Sequence, residues 1–119
     1  MPRYGVIAAL LLATCALPWL GCSGDKIADG AVDGARIYET ACNRCHGSHG
    51  VPPPSMVMQL GVPDLTRPEM RARSRDEISK RIADGSSAKG MPAFGTALSK
   101  EQLEAITSHV ISLSTEPRQ

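Results

Sequence analysis

Two stretches of the chain space their apolar residues at a helical period, and both open on the same polar signature. Ser74-Arg75-Asp76-Glu77 and Ser99-Lys100-Glu101-Gln102 each place a Ser three residues before a Glu or Gln. In that arrangement the two side chains satisfy free backbone donors at a helix start. The first predicts a helix with Ile78 and Ile82 on one face, ending at Gly85. The second predicts a helix with Leu103, Ile106, Val110 and Leu113 as its apolar stripe and Pro117 beyond its end.

A different pattern occupies the start. Arg3 is followed by an uncharged, Leu- and Ala-rich run from Tyr4 to Gly21, the layout of a secretory signal rather than of a folded element. The run is also just long enough to span a bilayer as an uncleaved anchor, but Pro18 near its end favours cleavage. Trp19-Leu20-Gly21-Cys22 resembles a bacterial lipobox, with Trp19 in place of the usual Leu, so Cys22 is the expected lipidation site. Leu12-Ala13-Thr14-Cys15 is a poorer match because Thr14 is too large before the cut. Residues 1–22 are therefore expected to be a signal peptide. Ser23 to about Gly30, small, polar and without period, is expected to be a flexible tether, and residues 31–119 the domain.

Composition sharpens the picture at one point. Beyond residue 22 the aromatic residues are Tyr38 and Phe94, thin material for a core in a domain this small. Small domains of this kind usually add a disulfide, a metal or another insert, and a large flat apolar cofactor would meet the need. The formal net charge of +1 argues against nucleic acid as a partner, since phosphate neutralisation needs a strongly basic surface.

With Cys15 in the signal and Cys22 lipidated, Cys42 and Cys45 are left. A disulfide between them is conceivable after export, and so is a thioredoxin-like redox pair. His46 decides otherwise. Cys42-Asn43-Arg44-Cys45-His46 is the pattern of covalent haem attachment, because residues three and four apart share a helix face and can turn two sulfurs and an imidazole toward one ligand. Zinc is the main alternative, with Cys42, Cys45, His46 and His49 close together. Zinc sites, however, usually draw ligands from a second segment, and beyond residue 50 there is no second Cys or His pair, only His109.

A second axial ligand is sought among Met56, Met58, Met70 and Met91. Gly90-Met91-Pro92-Ala93-Phe94-Gly95 sets Met91 in a non-helical loop able to present a side chain at a fixed angle. The other three methionines are read as flexible gap-fillers. The cations Arg67, Arg71, Arg73, Arg75, Lys80 and Arg81 are read as a solvated helix face, with docking to an acidic redox partner as the alternative.

From about Ala31 to Leu113 the chain resembles the bacterial class I cytochromes c. Gly34 and Tyr38 are similar to the family's N-terminal helix, Cys42 to His46 with Gly47 and Gly50 to its attachment turn, and Pro63-Asp64-Leu65-Thr66 and Gly90 to Gly95 to its middle segment and methionine loop. The resemblance implies an all-α fold of three to four short helices around one covalently bound haem c. It also implies that the first and last helices cross where Gly34 permits close approach. That Gly otherwise costs about 1 kcal/mol in a helix. His109 stands where the family generally has Tyr or Trp and is read as a packing or surface residue.

The implied function is electron carriage, not catalysis. Haem would be attached at Cys42 and Cys45, with His46 and Met91 on iron. Redox proteins would be transient partners, the membrane would be reached through the lipid, there would be no small-molecule substrate, and the location would be periplasmic. The alternatives are a tethered haem subunit of a larger oxidase or dehydrogenase, and a peroxidase or sensor with a labile Met91.

Overall fold

The computed structural model describes residues 27–116. The expected signal peptide with Cys15 and Cys22, residues 23–26 of the expected tether, and Pro117 lie outside the described residues. Within the described residues six α-helical segments follow one another: α1 (Gly34–Ala41), α2 (Asn43–His46), α3 (Pro54–Leu60), α4 (Pro68–Arg71), α5 (Arg75–Asp84) and α6 (Lys100–Thr115). Two 3₁₀ turns, Ile27–Gly30 and Ser87–Lys89, complete the set. Among the described residues there is no strand, only a single antiparallel bridge between Ser86 and Met91. The all-α expectation is met. The segments outnumber the expected three to four helices because α2 and α4 are four-residue turns.

Local chemistry sets the helix starts. The Asp33 carboxylate caps α1 by accepting from the Ala35 and Arg36 amides at 3.0 and 3.3 Å. Both predicted capping boxes form: Ser74 with Glu77 opens α5, and Ser99 with Gln102 opens α6. Gly85, at φ 66°, ends α5 as expected. The sequence pattern did not predict α3. Pro54 occupies its first turn, where a missing amide and a fixed φ cost nothing, and Gly61 ends it in a left-handed conformation.

Ile37 and Tyr38 of α1, Ile78 and Ile82 of α5, and Ile106, Val110 and Leu113 of α6 are buried together with Leu65 and Leu98. Leu103, the remaining stripe position, packs against this core half-buried. Gly34 is the first residue of α1 rather than an interior one. A Cβ there would run into the Ala105 carbonyl and come within 2.9 Å of His109 Cβ. α1 and α6 thus cross with backbone nearly touching backbone, and the His109 ring packs beside Tyr38 with centroids 5.1 Å apart.

The expected tether differs in its second half. Residues 27–30 form a turn that joins the domain, with Ala28 only 5% exposed. The buried Gln102 amide donates to the Ile27 and Ala31 carbonyls at 3.1 and 3.2 Å. A small residue, Ala28, fills a gap that no periodicity in so short a segment could announce.

Candidate functional site

α1 leads directly into α2: the Cys42 amide donates to Tyr38 O at 2.8 Å, and the His46 amide to Cys42 O at 2.9 Å. This turn carries Cys42, Cys45 and His46 within little more than one winding, as the spacing predicts. Its exit is braced by the Tyr38 hydroxyl, which donates to Gly47 O at 2.8 Å. Tyr38 is fully buried, and desolvation, helped by Cys42 and Glu39, raises its phenol pKa well above the ordinary value.

Met91 is held from another direction. Its amide donates to Ser86 O at 3.0 Å and its carbonyl accepts from the Ser86 amide at 2.8 Å. Gly90, at φ 67°, makes the turn that lets these strands of backbone meet. The loop is non-helical at Met91 itself, as expected, although a 3₁₀ turn precedes it.

These two segments meet at one cavity of about 300 Å³, within the size range of small-molecule and cofactor sites. Cys42, Cys45, His46 and Met91 all line it, with apolar neighbours such as Leu65, Ile78 and Val110. Tyr38 and Phe94, the two aromatic side chains beyond residue 22, line it as well.

The chemistry of the donors is selective. His46 Nδ1 is buried without a well-formed hydrogen bond. Burial lowers the imidazole's pKa more than the Pro63 carbonyl raises it, which favours the neutral ring, the form that ligates metal. Cys42 and Cys45 are free thiols. Desolvation first, then Cys45, pushes the Cys42 thiol up to about 11, the reverse of the lowered pKa that marks a reactive Cys-X-X-Cys pair. Among the described residues no three His, Cys, Asp or Glu side chains converge on a common point, and His49 is exposed; the zinc arrangement does not form. An apolar cavity with two thiols, a neutral imidazole and a thioether on its wall fits a covalently held haem.

The methionines read as gap-fillers are not all placed as expected. Met58, expected to fill a gap, is 86% exposed, because α3 leaves most of its surface in solvent. Met56 is half-buried. Met70 packs against the core as expected but also reaches the cavity wall. Arg73, Arg81 and Lys89 line the cavity too, which a reading of the arginines as one solvated face did not anticipate. The signal for Arg81 was its place one residue from Ile82; nothing in the sequence marked Met70.

Residues 29–110 match the family described as cytochrome c oxidase, cbb3-type, subunit III. The chain is 31% identical to a cytochrome c6 of Synechococcus sp. (strain ATCC 27167 / PCC 6312), over 92% of this chain and 91% of that protein. It is 33% identical, over 71% of its length, to the dehydrogenase subunit of a quinone alcohol dehydrogenase of Gluconobacter oxydans (strain 621H), but spans only 10% of that subunit. A solved structure described as KustC0563 c-type cytochrome superposes with a TM-score of 0.62 at 28% identity, covering 68% of this chain and 96% of the other.

Proposed function

This chain belongs to the class I c-type cytochromes, and from that premise we propose how it holds and uses its haem c. Cys42 and Cys45 would hold the cofactor through thioether bonds, His46 and Met91 would ligate its iron, and the protein would shuttle single electrons between partners outside the cytoplasm. One observation carries this reading: four side chains of the right chemistry, from two separate segments, share the wall of one apolar cavity.

Haem c, when bound, supplies one-electron exchange at its iron. The chain's own residues supply everything that makes the exchange easy. Burial favours the neutral ring of His46, and Met91 is pinned at both backbone groups by Ser86, so neither would have to move far between oxidation states. Ligation by both His46 and Met91 would favour a higher reduction potential than other ligand sets and would leave a substrate no place on the iron. Weak redox encounters bury little surface and release quickly, which suits a carrier better than a catalyst. Lipidation at Cys22 would tether the domain to a membrane, with more than one acyl chain needed for firm attachment.

A second reading, the haem subunit of a larger oxidase or dehydrogenase, is favoured by the family match and by the similarity to a dehydrogenase subunit. Purification from the native membrane separates the two: a carrier is recovered alone, a subunit with its complex.

Substitution of the sulfur ligand tests the site. Met91→Ala is expected to keep its haem, because the attachment residues are untouched, while its reduction potential falls and its ferrous form gains carbon monoxide binding. An unchanged potential in that variant sinks the assignment of Met91.

A further inference from the structure

The cavity wall carries three cations that the ligand set leaves unexplained. Arg73, Arg81 and Lys89 line it, and Glu77 is the single acid among the described lining residues. Glu77 is already engaged, its carboxylate accepting from the Ser74 amide at 2.7 Å and from the Ser74 hydroxyl at 3.1 Å. The nearby cations that face solvent have found carboxylates: Arg67 lies 3.6 Å from Asp64, Arg75 2.8 Å from Glu104, and Lys80 2.6 Å from Asp84. The cations at the cavity form no such ion pair, although Arg73's charge acts on the Glu77 carboxylate from a greater distance. Arg81 donates to the Gly85 carbonyl at 3.4 Å, and among the described residues no carboxylate lies within ion-pair distance of Arg73, Arg81 or Lys89.

Glu77 and Arg81 lie four apart on α5, the spacing that aligns side chains on one face, and Arg73 immediately precedes the Ser74 cap at the start of that helix. That face adjoins Ile78 and Ile82, which are buried and also line the cavity. The wall is therefore apolar over most of its area and cationic along one border. Its complement is a flat apolar ligand with anionic groups on one edge. Guanidinium groups suit carboxylates in particular, because their planar fork donates two parallel hydrogen bonds.

We propose that Arg73 and Arg81 receive the two propionate carboxylates of the haem and that Lys89 adds positive charge beside them, an inference that rests on the haem site proposed above. The two arginines are positioning residues. They fix which edge of the cofactor lies toward α5, and their charge offsets that of the propionates, which uncompensated would favour the ferric state.

The test uses the holoprotein and the variants Arg73→Gln, Arg81→Gln and their double, with Lys80→Gln as a control that removes the same charge from the solvent side of α5. All three targets are exposed, so the fold survives their replacement. Propionate bending bands in the resonance Raman spectrum report hydrogen bonding at those carboxylates. They are expected to shift in each arginine variant, most in the double, and to stay in place in Lys80→Gln. Bands that do not move in the double variant overturn the proposal. This holds also if electron exchange with an acidic partner slows, which would assign the arginines to docking. A wild-type chain lacking covalent haem would instead refute the haem site itself, so the two failures are distinguishable.

Discussion

At the scale of single residues, Gly34 shows how a small side chain sets the geometry of a site far from itself. Its missing Cβ lets α1 lie against the Ala105 backbone of α6, which in turn fixes where α1 delivers Cys42. Gly34→Ala forces these helices apart, and overpacking of this kind costs about 1–3 kcal/mol. For a domain of this size each kcal/mol lowers the melting temperature by roughly 4–8 °C. Thermal melting of the holoprotein checks this, and a variant that melts with the parent contradicts the close crossing. Local geometry written in immediate neighbours was legible from the sequence alone: the helical turn of Cys42 to His46 by their spacing, and the non-helical loop at Met91 by its flanking Gly90 and Pro92. Met58 and Met70 were not, because exposure in one and arrival at the cavity in the other depend on how α3 and α4 pack.

At the scale of elements, α5 and α6 were legible with their boundaries, since a capping box and an apolar stripe are both local patterns. α3 was not, because a proline such as Pro54 starts a helix in one context and a loop in another. The capping box of α5 also gives the protein a dependence on acid. The Ser74 amide and hydroxyl, with a smaller contribution from Arg73, hold the Glu77 carboxyl below its ordinary value of 4.5. A carboxyl depressed in the folded state stabilises fully above its unfolded pKa, and that stabilisation is lost as pH falls through the folded value. Glu77→Gln keeps a capping acceptor but cannot titrate. Wild type is therefore expected to exceed Glu77→Gln in melting temperature by most at neutral pH, with the gap closing below about pH 4.5. A gap that widens in acid contradicts the sign.

At the scale of the molecule, the domain is small and a cavity opens beside its packed core. Tyr38 and Phe94 both face that cavity, so the sparse aromatic content of the sequence is explained: the cofactor itself completes the core. The start of the domain was not legible in the sequence, because the burial of Ala28 and the Gln102 clamp on Ile27 and Ala31 are tertiary contacts. The proposed attachment to a membrane rests on Cys22. Cys22→Ser is expected to move the mature protein from the membrane fraction to the soluble extract, and its retention with membranes would rule out the lipid anchor.

Ligation, electron exchange and the placing of the propionates all depend on a covalent bond between this chain and haem. After expression in a host that matures c-type cytochromes, the purified protein is extracted with acidified acetone and the precipitated chain examined as its pyridine haemochrome. The haem is expected to stay with the polypeptide and to give the spectrum of a haem linked through two saturated side chains. A colourless chain, or haem recovered in the acetone, would contradict that bond.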